Sequence, residues 1–234
     1  MPDAEVSKRG WMVLDSGPGD PAWNMALDEA LLEAVSRFGR PLLRLYSWSE
    51  PAATFGYSQR YGDLAKATPL RPLIRRATGG GLVLHDADWT YSLVFPPSHF
   101  WFHLRAEESY RLAHEWVCGA FARLDVVTEL SPICRKEVPG QCFFGAEKND
   151  LLWHGRKIAG AAQRRPKTGL LIQGSVQPPP ICLVRSAWHD AMAAAGAEFL
   201  GAPCEVVSLD EPVANLAESL SASKYSAREY NQKW

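Results

Sequence analysis

Three consecutive glycines, Gly79, Gly80 and Gly81, interrupt an otherwise strand-like stretch, "RPLIRRATGGGLVLHDADWTYSLVF". Such a run loses more conformational freedom on folding than other residues would and offers no side chain to pack. It is tolerable where the chain needs positive φ or where the main chain must approach a ligand closely. Two arginines, Arg75 and Arg76, stand just upstream, and guanidinium groups suit a phosphate or a carboxylate. The stretch is not a Walker A loop, because no Gly-Lys-Ser/Thr follows, and it is not GxGxxG. A ligand-binding loop and a plain glycine-rich turn with surface arginines both fit these residues.

Around this stretch the pattern alternates between strands and helices without a repeating βαβ unit, which counts against a doubly wound sheet. "WMVLD" reads as a strand. Asp20 is placed to cap a helix that Pro21 opens, Leu27, Ala30, Leu31 and Ala34 give that helix a buried face, and Gly39 ends it. "PLLRLYSWS", "AATFGYS" and "RPLIRRA" read as strands. Two more flank the turn residues of His85 to Asp88. A second helix is predicted over 104–124, with Tyr110, Ala113, His114, Val117 and Phe121 on one face. "DLLWHGRKIAGAA" reads as a hairpin turning at His154-Gly155, "GLLIQGSVQ" as a further strand, and helices are expected over 187–195 and 212–220. The class that follows is α+β, a mixed and largely antiparallel sheet packed with helices. The 234 residues fit one large domain or two small ones, and a single domain spanning residues 1–234 is expected, long enough to bury a substantial core.

Several function classes are disfavoured. A net charge of −1 argues against a protein that holds nucleic acid by bulk electrostatics. No apolar run is long enough to span a bilayer, and the first ten residues are polar, so a cytoplasmic chain without a membrane partner is expected. The five cysteines, Cys118, Cys134, Cys142, Cys182 and Cys204, are odd in number and show no zinc-ligand spacing, which suits a reducing compartment. His99 and His103 are four apart without an evident third ligand, so no metal is assigned. His85 precedes Asp86, but neighbours on a strand point to opposite faces, and a structural histidine bonded to a loop carbonyl is the plainer reading. No GxSxG nucleophile elbow occurs.

Three segments in order, "PAWNMALDEALL", "RRATGGGLVLHD" and "KNDLLWHGRKIAGAAQRR…LLIQGS", resemble the lipoate-protein ligase and octanoyltransferase family. The likeness spans roughly residues 10 to 200. It implies the biotin/lipoate ligase fold, which agrees with the α+β class. It places Arg76, Gly79, Gly80, Gly81, Leu82, Val83, Leu84 and His85, with Gly160, around a pocket for the acyl chain, and it makes Lys157 of "GRKIAG" the central residue at the reactive carbonyl. Small and aliphatic residues in "LVL" and "IAGAA" would wall an apolar slot.

Two chemistries share this family. In the transferase reading, Cys142 accepts an octanoyl or lipoyl group as a thioester and passes it to the lysine of a lipoyl-carrier domain. The resemblance implies an acyl carrier protein as donor, a 2-oxoacid dehydrogenase E2 or glycine-cleavage H protein as acceptor, and no cofactor. A cysteine of ordinary pKa near 8.5 is only a few per cent thiolate at pH 7. An ammonium about 4 Å away favours the anion by roughly 4 kcal/mol at an effective dielectric of about 20, and desolvation opposes it. Cys142 stands fifteen residues before Lys157, as in the cysteine-dependent octanoyltransferases of the family. In the ligase reading, ATP and Mg²⁺ activate free lipoate as an adenylate, with Asn149 and Asp150 near the metal. A non-catalytic binder of lipoyl domains or fatty acid is a third reading, from another class. The transferase is the leading expectation, with Cys142 and Lys157 as its catalytic pair.

Overall fold

The structure, a computed structural model, describes residues 10–136 and 145–233. The chain opens on strand β1 (Trp11–Gly19), followed by helix α1 (Pro21–Phe38) and strands β2 (Leu42–Trp48) and β3 (Ala52–Phe55). A short helix α2 (Tyr61–Ala67) leads to β4 (Leu73–Arg75), β5 (Val83–His85) and β6 (Trp89–Phe95). After a 3₁₀ turn at Phe100–His103 come helix α3 (Ala106–Ala122) and the short strands β7 (Glu129–Leu130), β8 (Arg135–Lys136) and β9 (Gly145–Ala146). The hairpin β10 (Leu151–Trp153) and β11 (Arg156–Arg164) precedes β12 (Leu170–Val176) and helix α4 (Arg185–Leu200). Strand β13 (Cys204–Val206), helix α5 (Glu211–Leu220), a π-helical turn (Ser221–Tyr225) and helix α6 (Arg228–Asn231) complete the described chain.

The main sheet has the order β13-β1-β2-β6-β12-β11-β10-β7. Its β13–β1 and β1–β2 pairings are parallel and the rest antiparallel, so the expected mixed, largely antiparallel sheet is what forms. A smaller sheet, β4-β3-β5, stands beside it and carries the strand that leads into the glycines. Helices α3 and α4 cover one face of the main sheet over a core that contains Trp11, Trp101, Trp116 and Trp188. Helix α1, with α5 and the π-helical turn, packs on the other face around Met25, Leu27, Leu31 and Tyr225.

Local chemistry explains the boundaries. Asp20 accepts hydrogen bonds from the amides of Ala22 and Trp23, and Pro21 occupies the first helical turn where its missing N–H costs nothing. Gly39 closes α1 at φ 65°, its amide donating to the carbonyl of Val35. His154 and Gly155, at φ 49° and 73°, make the two-residue turn between β10 and β11. Helix α2 was not expected from the sequence, because "YGDLAKA" buries only Leu64 and shows no helical stripe. Strand β13 was also not expected, since its three residues are exposed and gain their place only by pairing with β1.

Candidate active site

On the α1 face of the main sheet, polar side chains recur at alternate positions of three neighbouring strands: Arg44 and Tyr46 on β2, Thr90 and Ser92 on β6, Gln173 and Ser175 on β12. Period-2 alternation puts them on one face, and burial obliges them to bond to one another. Asp28 of α1 is the hub. Its Oδ1 lies 2.7 Å from Arg44 Nη1, and its Oδ2 accepts from Ser92 Oγ at 2.7 Å, Gln173 Nε2 at 2.7 Å and Tyr46 OH at 3.1 Å. Burial, followed by the Asp28 charge, pushes the Tyr46 phenol far above its ordinary pKa, which keeps it a donor. Gln173 in turn accepts from Thr78 Oγ1 at 2.7 Å, which fastens the segment before the glycines to the floor of the sheet.

Above this floor lies a pocket of about 400 Å³, counting its open mouth, walled by Met25, Trp48, Val83, Ala161 and Ala162 among others. Gly160 and Arg76 also line it. Of the "LVL" run only Val83 faces the pocket. Leu82 packs into the small cluster with Phe55 and Leu73, and Leu84 is 39% exposed, so both depart from the expected wall. The reason is strand alternation: Val83 and His85 share one face of β5 and Leu84 takes the other. The Ile158 and Ala159 of "IAGAA" likewise belong to the core on the α3 face.

The glycine loop is shaped by Arg76. Its Nη2 donates to the carbonyls of Gly79 and Gly81, each at 2.8 Å, and its Nη1 to Thr54 Oγ1 at 2.8 Å. Gly80 takes φ 84°, a left-handed conformation that favours glycine. Thr54 Oγ1 lies 2.7 Å from His85 Nε2, and His85 Nδ1 lies 2.8 Å from Asp88 Oδ2. That carboxylate oxygen also accepts from Ser175 Oγ at 2.6 Å and Thr90 Oγ1 at 3.1 Å. His85 therefore bonds to a hydroxyl and to Asp88, three residues on, rather than to a loop carbonyl, while Asp86 is exposed. The indole of Trp48 stacks on the His85 ring at 3.9 Å between centroids. Arg75 is fully buried and turned away from the pocket, so of the two arginines only Arg76 faces it.

At the β10–β11 hairpin, Lys157 Nζ lies 2.7 Å from Asp150 Oδ2, with both side chains less than a tenth exposed. The same Oδ2 accepts from the Glu147 amide at 2.6 Å. The β10–β11 pairing carries a register shift between Leu151 and Leu152, opposite Ala159 and Lys157. A Cβ at Gly160 would lie 2.9 Å from both Cε and Nζ of Lys157 and 3.2 Å from Asp150 Oδ1, so the pair closes over a glycine in the pocket wall. Asn149 adopts φ 71°, a left-handed conformation that asparagine tolerates, and its amide donates to the Ser131 carbonyl. Behind the pair, His114 of α3 is buried close enough to feel both charges. Burial lowers its pKa to about 4, the Asp150 charge opposing and Lys157 adding to the shift. Cys142 lies outside the described residues. Among the described residues no group of three or more His, Cys, Asp or Glu side chains is placed to hold a metal ion, and no helix is long and apolar enough to cross a membrane.

Asp28, Arg44, Thr54, Asp88, Gln173 and Ser175 support the site and were not singled out from the sequence. The signal was present for the strand residues: a charged or polar side chain at every second position of an apolar strand.

In its mixed sheet and packed helices the chain shares the fold of solved lipoate-protein ligases. The fold matches a lipoate-protein ligase A bound with ATP at a TM-score of 0.80, with 22% identity over 95% of this chain and 98% of the other. It also matches a chain from a structural analysis of a bipartite lipoate protein ligase and its E2 lipoyl domain from Thermoplasma acidophilum, at a TM-score of 0.75 and 22% identity, covering 95% and 96% of the two chains. The chain belongs to the lipoyl protein ligase A/B catalytic domain family, whose model matches residues 20–232. Similar curated proteins are the octanoyltransferase LipM of Staphylococcus aureus, 36% identical over 71% of this chain, and those of Geobacillus kaustophilus (35% over 73%) and Bacillus subtilis (33% over 73%). The alignments span 65% or 66% of those relatives' own lengths.

Proposed function

We propose that this chain is, as one catalytic domain, an acyltransferase that moves an octanoyl or lipoyl group onto the acceptor lysine of a lipoyl-carrier domain. The observation that carries the reading is the buried Lys157–Asp150 pair packed against Gly160, a residue of the wall of a largely apolar pocket. The similar curated proteins, each named an octanoyltransferase, favour this reaction over others of the family.

In this reading the Cys142 thiolate attacks the thioester carbonyl of the donor, the carrier's thiol leaves, and the acyl group rests on Cys142. The acceptor lysine amine then attacks that thioester, the amide forms, the Cys142 thiolate departs and the amine gives up a proton. Both steps pass through a tetrahedral oxyanion, and an ammonium held in a buried site stabilises it far better than water would. Lys157 supplies that ammonium, and Asp150 balances its charge and fixes its direction. The pocket orients the chain: Met25, Val83, Ala161 and Ala162 give apolar contact, and Arg76 holds the glycine loop in place. A carrier-protein thioester as donor supplies the acyl group already activated, so this reading needs no nucleotide.

The adenylate route of the ligases would place Mg²⁺ near Asn149 and Asp150. The fit is poor, because Asp150 Oδ2 already faces an ammonium at 2.7 Å and a divalent cation on that carboxylate would sit against it. The deciding experiment supplies an unmodified lipoyl domain with either an octanoyl-carrier protein or octanoate plus Mg-ATP. Transfer from the carrier protein, with an octanoyl adduct lost in Cys142→Ser, is expected. Transfer only with ATP would make the chain a ligase, and transfer with neither would leave it a binder.

A further inference from the structure

The first arginine of the Arg75-Arg76 pair has no place in the pocket, and its bonds point elsewhere. Arg75 is fully buried. Its Nη1 donates to the carbonyls of Tyr57 at 2.5 Å and Gln59 at 2.7 Å. Its Nε donates to the Tyr230 carbonyl at 3.1 Å, and its Nη2 to the Asn231 carbonyl at 3.0 Å. The Arg75 amide donates to Asn231 Oδ1 at 2.8 Å. Asn231 is itself fixed, since its Nδ2 donates to the carbonyls of Tyr225 at 2.8 Å and Ala227 at 3.2 Å. One asparagine on α6 thus holds one arginine on β4 by main chain and side chain together.

What Arg75 holds in turn is the underside of the glycine loop. A Cβ at Gly56 would lie 2.0 Å from the Gly80 carbonyl oxygen and 2.9 Å from the Gly79 carbonyl carbon, so the two backbones touch without side chains between them. The Tyr57 amide donates to the Thr78 carbonyl at 2.9 Å. Residues 56–59 are therefore the support against which the glycines rest, and the Tyr57 and Gln59 carbonyls of that support are the acceptors of Arg75. Glycine backbone has no side-chain packing of its own to define its path, so its order has to be supplied from outside.

We propose that Asn231 is a positioning residue for the substrate pocket: through Arg75 and the turn at residues 56–59 it sets the path of the triple-glycine loop. Without Asn231 Oδ1, the Arg75 amide loses its acceptor in a buried place, and a buried polar group without a partner moves to find one. The turn then loses its anchor and the loop its support, while Lys157 and Asp150, on the β10–β11 hairpin, keep their geometry. The effect falls on binding of the acyl group rather than on the chemical step. The kinetic half of the inference rests on the proposed acyl transfer, and the mechanical half does not.

The test compares Asn231→Ala with Met192→Ala, which opens a cavity in the core on the α3–α4 side and lowers Tm without touching this contact chain. Amide hydrogen exchange is followed over residues 55–60 and 76–82, alongside KM and kcat for transfer from an octanoyl-carrier protein. In Asn231→Ala, exchange in both segments is expected to rise about tenfold, with KM up about tenfold and kcat within about twofold. Met192→Ala is expected to change neither. Unchanged exchange at residues 78–81 in Asn231→Ala, or an equal rise in Met192→Ala, overturns the proposal. Arg75→Lys, which keeps the charge but not the forked bonds, serves in the same way if Asn231→Ala does not fold. Should the wild-type chain transfer no octanoyl group, the acyltransferase reading fails while the exchange data still decide the positioning role.

Discussion

Lys157 Nζ and Asp150 Oδ2 stand 2.7 Å apart with side chains 5% and 7% exposed, a buried ion pair packed against Gly160 of the pocket wall. Removing one member of such a pair leaves an uncompensated buried charge, which costs about 3–5 kcal/mol. Asp150→Asn is therefore expected to lower stability by about 3 kcal/mol, or roughly 6–12 °C in Tm, and to cut transfer sharply. Adding Lys157→Met to Asp150→Asn is expected to recover much of the stability and none of the activity. Thermal melts of the two singles and the double check the coupling. A single variant as stable as wild type would show that the pair is not formed in solution.

Gly160→Ala separates the position of Lys157 from the stability of the fold. The new methyl would sit 2.9 Å from Lys157 Cε and Nζ and 3.2 Å from Asp150 Oδ1. The far end of a lysine can swing aside and both charges of the pair remain, so the fold survives with a loss in Tm smaller than the roughly 6–12 °C expected of Asp150→Asn. The ammonium nevertheless leaves the place from which it faces the carbonyl, and loss of one such stabilising group costs about 100-fold in rate. Steady-state transfer assays beside melting curves distinguish this from general damage. An active Gly160→Ala enzyme would mean that the Lys157 geometry is not critical.

Gly174 and Tyr91 make the opposite case. A Cβ at Gly174 would lie 2.2–2.5 Å from the Tyr91 ring and hydroxyl, and Tyr91 is fully buried with no room to turn. Gly174→Ala is expected to destabilise by about 1–3 kcal/mol through overpacking. The Tyr91 hydroxyl has no hydrogen-bond partner among the described residues, so Tyr91→Phe is expected to be neutral or mildly stabilising. Urea unfolding of both variants measures this. A large loss in Tyr91→Phe would reveal a bond that the hydroxyl makes in solution.

These residues also mark how much was legible in the sequence. Asp20, Pro21 and Gly39 announced helix α1 because capping chemistry is local, and His154-Gly155 announced the hairpin turn for the same reason. Lys157 and the glycine loop were found by likeness to a family; the structure puts Arg76, Val83, His85 and Gly160 in one pocket wall, with Lys157 packed against Gly160 and the glycines held by Arg76. Asp150 was placed near Mg²⁺ only in the ligase reading, and its contact with Lys157 was not foreseen, because a carboxylate's partner across a folded hairpin is not written in its sequence neighbours. Arg75 and Asn231 are 156 residues apart, and nothing local in either signals the other. Leu84 was misplaced by treating "LVL" as a uniform wall where alternation sends it outward.

His114 predicts how stability depends on pH. Burial is the main cause that lowers its pKa to about 4 in the folded chain, from an ordinary value near 6.5. The Asp150 charge and the Asn149 backbone oppose that shift but do not outweigh burial. Between these two values the unfolded chain binds the proton and the folded chain does not, so stability falls as pH drops. The contribution is complete above about pH 6.5 and is lost progressively toward pH 4. From pH 7 to pH 5 it amounts to about 2 kcal/mol. His99, lowered to about 4 by burial, acts in the same direction. Urea unfolding at pH 7 and pH 5 is expected to show this loss in the wild-type chain and a loss smaller by about 2 kcal/mol in His114→Leu, which keeps the apolar contacts of α3 and removes the titrating ring. An unchanged pH dependence in His114→Leu would mean that the ring takes up its proton in the folded state as readily as in the unfolded one, and so reaches a partner or solvent behind the Lys157–Asp150 pair.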